Sequence, residues 1–143
     1  MRVRDSLLVR CEPRALFALI EDLSRYPAWT DLVADVGPDP EREDAWFVEL
    51  SATIGPIRRS KRLRMVRTVH RPPHEVRFER EELDGRRHSA WTLSAEVVPT
   101  SDGCRLNVEL YYGGMMPSPV LTRILAASIS RAKPRLAALA EGR

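Results

Sequence analysis

The chain has 143 residues, 43% hydrophobic, 30% charged and 6% aromatic, and its 23 Lys plus Arg against 20 Asp plus Glu leave a net charge of +3. A single domain over residues 1–143 buries roughly 68–70% of its unfolded surface at this length, and ordinary apolar content with nearly balanced charge excludes native disorder. No apolar run approaches the ~20 residues of a membrane span, residues 1–13 carry no signal-peptide core, and Cys11 and Cys104 are too few for a disulfide framework, so a reduced, cytoplasmic setting is expected.

Residues 2–10 alternate weakly and read as a strand. Pro13 suits a first helical position, and Leu16, Phe17 and Ile20 form one face of a short helix to about residue 22. Ser24 fits the N-cap of a second short helix that reaches about residue 32 and is interrupted by Pro27. From residue 33 to 113 the period becomes two, punctuated by Gly37–Pro40, Gly55–Pro56, Pro72–Pro73, Asp84–Gly85 and Ser101–Gly103. Six strands follow, near 33–37, 44–54, 57–69, 74–83, 86–98 and 104–113. Ser118 as N-cap and Pro119 at the first position open a long helix, whose apolar stripe is Leu121, Leu125, Ile129, Ala132, Leu136 and Leu139. Pro134 removes one amide bond inside it and predicts a kink.

Tight turns fix strand register. A two-residue Gly55–Pro56 turn sets Trp46 opposite Met65, and an Asp84–Gly85 turn sets Phe78 opposite Trp91. A four-residue loop at 70–73 sets Met65 beside Phe78, and the last hairpin sets Trp91 opposite Tyr112. One face then carries Trp46, Val48, Leu50, Leu63, Met65, Val76, Phe78, Trp91, Leu93, Leu106, Val108, Leu110 and Tyr112. The other carries Glu49, Arg62, Arg64, Glu79, Glu81, His88, Arg105, Asn107 and Glu109, a solvated surface. Long antiparallel strands that are apolar on one face must curl around the closing helix. The fold class is therefore α+β.

The stretch Phe17–Trp29, with Asp22, Tyr26, Pro27 and Trp29 in a D-x-x-x-Y-P-x-W pattern, resembles the bacterial polyketide cyclase/dehydrase and lipid-transport branch of the START/Bet v 1-like (SRPBCC) superfamily. The element order resembles it over essentially the whole chain. The resemblance implies a helix-grip fold: a curved seven-stranded antiparallel sheet wrapped around a long C-terminal helix, with two short helices between strands 1 and 2. Such proteins include hydrophobic-ligand carriers, aromatase/cyclases and coenzyme Q-binding proteins. No catalytic residue transfers to this sequence.

On that fold the inward face reads as a ligand cavity walled by Trp29, Trp46, Leu50, Leu63, Met65, Phe78, Trp91, Leu110, Tyr112, Met116, Leu121 and Leu125. The same rings also suit a solid core. Arg59, Lys61, Glu82 and Arg87 fall at one end as a rim, with Lys61 opposite Glu82, Glu82 opposite Arg87, and Arg80 furthest in and free to hold an anionic head group. The alternative is that these charges pair with one another in water. Arg67, at the other end, reads as a second cavity cation or a partner for Asp44. His70, His74 and His88 lack metal-site spacing, no cofactor is implied, and the arginines are interleaved with acids, which argues against nucleic acid. The reading is a protein that binds, and in one use transports, a hydrophobic or amphipathic, anionic small molecule such as a lipid or polyketide-like aromatic. Its rival is an aromatase/cyclase in which Arg80 or Arg67 stabilises an enolate and Tyr112 or Tyr26 moves a proton. A third reading is a partner-binding module using an outward Arg58/Arg62/Arg64 stripe. Oligomeric state is left open.

Overall fold

The computed structural model describes residues 1–114 and 119–143. Seven strands form one antiparallel sheet: β1 Arg2–Val9, β2 Val33–Pro38, β3 Ala45–Ile54, β4 Ile57–Arg71, β5 Glu75–Arg80, β6 Trp91–Thr100 and β7 Gly103–Tyr112, in the order β1-β7-β6-β5-β4-β3-β2. Helix α1 is Pro13–Ile20, a 3₁₀ segment spans Leu23–Ala28, and α2 is Pro119–Ala140. The sheet curves around α2, the helix-grip architecture that its one-sided strands require. The inward-facing Val48, Leu63, Met65, Val76, Phe78, Leu106 and Leu110 are buried in a core that also takes Leu16, Phe17 and Ile20 of α1 and Leu125 and Leu136 of α2. Leu139, expected on the apolar stripe of α2, is 44% exposed, and Ser128 and Ala137 take buried positions instead. The helix continues through Pro134. The expected cap Ser118 lies outside the described residues.

Two hairpins hold the register that their turns impose: Trp46 pairs with Met65 across β3–β4, and Trp91 with Tyr112 across β6–β7. Two others differ. β4 and β5 pair up to Arg71 and Glu75, closed by the His74 N–H donating to the Arg71 carbonyl at 2.7 Å, so the loop is shorter than expected. A bulge between Arg67 and Val69 takes back one residue. The net displacement is two: Arg67, not Met65, faces Phe78, and Phe78 still points inward. In β5–β6, Phe78 faces Leu93 and not Trp91, again a slip of two. Asp84–Gly85 does bend, with Gly85 at φ +70°, but inside a ten-residue connection, 81–90, that leaves the sheet.

The short second helix also departs from expectation. Pro27 limits it to 3₁₀ turns, and its cap is Asp22, whose Oδ1 accepts from the Ser24 N–H at 2.8 Å. On the outer face Arg64 is buried instead of solvated. The β2–β3 connection folds over it, Nε donates to Asp39 Oδ2 at 3.1 Å, and the guanidinium also donates to the Glu81 carbonyl at 2.9 Å. That removes Arg64 from the outward arginine stripe.

Candidate functional site

Between the concave face of the sheet, α2 and the 3₁₀ segment lies a cavity of about 120 Å³. Of the residues expected to wall it, Trp29, Leu50, Leu63, Met65, Trp91 and Leu110 line it. Among the described lining residues, Trp46, Phe78, Arg80, Tyr112, Leu121 and Leu125 are absent, and Met116 lies outside the described residues. The aromatic set therefore divides. Phe78 packs edge-on against Trp46 and Tyr26, at centroid distances of 5.6 and 6.1 Å; Phe78 and Trp46 are solid core, and Tyr26 joins that core to the cavity wall. Trp29 and Trp91 stand in the cavity wall, Trp91 tilted against Tyr112 at 4.8 Å.

The motif Asp22–Tyr26–Pro27–Trp29 builds the wall next to α1. A helix leaves its last carbonyls without amide partners. Here the Trp29 Nε1–H donates to the Leu19 carbonyl at 3.1 Å, the buried Tyr26 hydroxyl donates to the Ile20 carbonyl at 2.8 Å, and Arg67 donates to the Glu21 carbonyl at 2.7 Å. The helix end is thus tied to the 3₁₀ segment and to β4. Burial, aided by the Asp22 charge, pushes the Tyr26 phenol well up, so the hydroxyl stays protonated. Arg67 is accordingly no cavity cation. Its guanidinium lies over the Trp46 ring at 5.5 Å, and the Asp44 carboxylate is held by Arg42 at 2.9 Å.

The cationic rim does not assemble. The two-residue slip and the 81–90 connection replace the expected Lys61–Glu82–Arg87 ladder with a group in which Lys61 and Arg80 meet at the Ser89 hydroxyl and Glu82 pairs with Arg80, outside the cavity lining. Lys61 sits opposite Leu50 with its Nζ 3.5 Å from Ser89 Oγ, Arg59 opposes Ala52, and both Arg59 and Arg87 are exposed. Arg80 is not free. Its Nε donates to Glu82 Oε2 at 2.7 Å, and a second nitrogen donates to the Ser89 carbonyl at 3.2 Å. None of Arg59, Lys61, Glu82 and Arg87 is among the described lining residues. His70 and His88 are each placed by one carboxylate, Glu21 at 2.9 Å and Asp84 at 2.8 Å.

Charge reaches the cavity elsewhere. Asp5 of β1 and Lys133 of α2 line it and pair at 2.9 Å, with side chains 28% and 35% exposed, so they mark where the cavity meets solvent. Burial would raise the Asp5 carboxyl, but hydrogen bonds from Lys133 and the Ser6 amide, with the Lys133 charge, outweigh it and hold the carboxyl below its ordinary value. One local signal existed for Asp5: an acid at an inward position between Val3 and Leu7. Nothing in the sequence joins it to Lys133, 128 residues away. Ser6, Leu7, Thr30, Leu32 and Val33 complete the wall from segments with weak periodicity.

Residues 9–137 match the model of a family described as polyketide cyclase/dehydrase and lipid transport. No curated protein matches the chain. Among solved structures, a START superfamily protein from Mycobacterium smegmatis superposes with a TM-score of 0.73 at 13% identity, over 99% of this chain and 97% of its own. A Deinococcus radiodurans protein gives 0.67 at 17% identity, covering 96% and 97%. The di-domain ARO/CYC StfQ from the steffimycin biosynthetic pathway gives 0.65 at 17% identity, over 99% of this chain and 49% of that one. At these identities the likeness is one of fold.

Proposed function

Since the chain belongs to the polyketide cyclase/dehydrase and lipid transport family, we propose that it binds a small hydrophobic molecule in the cavity between sheet and α2. The observation that carries this is the cavity itself: about 120 Å³ walled by Trp29, Leu50, Leu63, Met65, Trp91 and Leu110. Apolar space of that order, roughly the 150 Å³ of a cavity that takes up benzene, is filled favourably by carbon. It lies below the roughly 300–1,000 Å³ of sites for larger ligands, which favours a single ring over a lipid chain. The anionic head group expected from the sequence rested on a free Arg80, and that side chain is held by Glu82.

Binding is favoured over cyclase chemistry by the state of the ionisable groups at the wall. Tyr26 is committed to the Ile20 carbonyl, and Asp5 and Lys133 to each other. A general acid or base needs a proton it can exchange with substrate. The test is titration of the protein with six-membered-ring compounds, aromatic polyketides and long-chain fatty acids, read by tryptophan emission and thermal midpoint. Ring compounds are expected to shift both, since Trp29 and Trp91 face the cavity. A panel that moves neither signal overturns the proposal, and turnover of a poly-β-ketone surrogate overturns it in favour of the enzyme.

A further inference from the structure

From residue 50 to residue 74 the chain carries seven arginines and lysines and no acid, more than twice the net charge of the whole molecule. Arg64 and Arg67 are taken up inside the structure, but Arg58, Arg59, Lys61 and Arg62 stand exposed at the start of β4. β5 ends at Arg80, opposite Met65, so among the described residues β4 has only β3 as a sheet neighbour over residues 57–64. Residues 57–62 are exposed on both faces, whereas 63–66 of the same strand are buried. Strand alternation puts Arg58 and Arg62 on the outer face with Arg64, and Arg59 and Lys61 on the inner face with Leu63. The β3–β4 hairpin therefore stands out from the sheet with cations on both sides and Ile57, 53% exposed, beside its turn.

The 81–90 connection runs out beside it. The Glu81 N–H donates to the Arg64 carbonyl at 3.1 Å where the connection leaves the sheet, and Ser89 Oγ meets Lys61 Nζ at 3.5 Å where it returns. Between these points Leu83 is 72% exposed, and Arg86 and Arg87 are exposed as well. Most nearby acids are occupied: Glu82 pairs with Arg80 at 2.7 Å, Asp84 lies 2.8 Å from His88 Nε2, and Glu49 is 3.9 Å from Arg62. Glu81 stays at the foot of the connection, level with Arg64. Among the described residues no carboxylate pairs with Arg59, Arg86 or Arg87.

A single exposed aliphatic side chain is ordinary on a protein surface. Here two share one end of the molecule with six exposed cations, and binding at a membrane surface draws on that combination of apolar contact and attraction to anionic lipid. We propose that this end docks on an anionic lipid bilayer. Ile57 and Leu83 enter the acyl boundary, while Arg58, Arg59, Lys61, Arg62, Arg86 and Arg87 hold head-group phosphates. The docking is independent of what the cavity binds. A bilayer met end-on surrounds the hairpin with head groups, which suits cations on both of its faces. A nucleic acid would engage one face at a time and offers Ile57 and Leu83 no apolar phase.

The test sediments the full chain with vesicles of POPC alone and of POPC with about 30% POPG, in about 0.1 M and about 0.5 M salt. The protein is expected to bind the POPG vesicles, to leave them in the higher salt, and to stay free of POPC. Arg59→Gln/Arg86→Gln/Arg87→Gln removes three cations that no acid holds, and should weaken binding about a hundredfold, about fivefold for each charge. Arg14→Gln/Arg105→Gln/Arg135→Gln lowers the net charge equally at exposed positions outside this end, and should bind as the wild type does. Ile57→Ser should weaken binding about tenfold and keep its salt dependence. All these positions are exposed, and an unchanged thermal midpoint shows that each variant is folded. No binding to POPG vesicles, equal binding to POPC, or equal losses in the two triple variants overturns the proposal. So does an Ile57→Ser protein that binds like the wild type, and release from the vesicles by a stoichiometric short DNA duplex would assign the surface to nucleic acid instead.

Discussion

Replacing Ala132 with leucine tests whether the interior is hollow, because the two possibilities predict opposite signs. Ala132 is 5% exposed, sits on α2 and lines the cavity. A void of about 120 Å³ costs about 3 kcal/mol at roughly 24 cal/mol per Å³. The three added carbons, at about 0.8 kcal/mol each, recover about 2.4 kcal/mol if they enter it. Ordering the leucine takes back about 0.5–1 kcal/mol. The net expectation is a stabilisation of about 1–2 kcal/mol, or a thermal midpoint raised by about 3–6 °C for a chain of this size. Helix propensity does not confound the sign, since alanine and leucine are both strong formers. Were the space already filled, the same substitution would overpack the core and cost about 1–3 kcal/mol. Urea denaturation with calorimetry reads the sign, and ring compounds should no longer raise the midpoint of Ala132→Leu. A variant destabilised by about 1 kcal/mol or more refutes the reasoning.

Tyr26→Phe deletes the donor to the Ile20 carbonyl at a fully buried position, and a loss of about 1–3 kcal/mol with an unchanged denaturant slope is expected in urea; a loss below about 0.5 kcal/mol would show that the hydroxyl does not tie down the helix end. Because the folded Asp5 carboxyl lies below its unfolded value of 3.8, its pairing contributes stability above that pH and loses it as the pH falls through the folded pKa. Asp5→Asn should therefore cost up to about 1 kcal/mol at pH 7, where the pair, about a third exposed, is screened by solvent, and progressively less below pH 3.8; a gap equal at pH 7 and pH 3 would assign the effect to shape. Burial, with Cys11 3.9 Å away, pushes the Cys104 thiol up to about 12, so Ellman's reagent at pH 8 should reach it only at the rate of unfolding. Labelling of Cys104 within seconds in the folded protein would contradict that.

Which face each strand buries was legible because side chains alternate with period two and both register slips are even. Phe78 and Val76 stay inward although their partners change, and without the bulge after Arg67 the β4–β5 slip would be odd and would turn one strand's apolar set outward. Who stands next to whom was legible across β3–β4 and β6–β7, where the turn is as tight as the sequence implies, and was lost across β4–β5 and β5–β6, where loop length differs. Asp84–Gly85 has the composition of a hairpin turn, but the chain spends ten residues there while Arg64 takes up the Glu81 carbonyl and Arg80 finds Glu82 and Ser89. The rim was an inference about neighbours, and with the register changed Arg80 and Glu82 pair with each other beside Ser89 and none of the rim residues reaches the cavity lining. The cavity wall was an inference about faces, and for Leu50, Leu63, Met65, Trp91 and Leu110 the geometry agrees. The Asp5–Lys133 pair joins the two ends of the chain, beyond the range of any local pattern.

The way the Tyr26 and Trp29 side chains are tethered bears on how such a scaffold can diversify. Their anchors are main-chain oxygens of Leu19 and Ile20, which every residue type supplies. Substitution of Ile20, which lines the cavity, can alter the contour offered to a guest without cutting its mooring, so variation and structural support are uncoupled there.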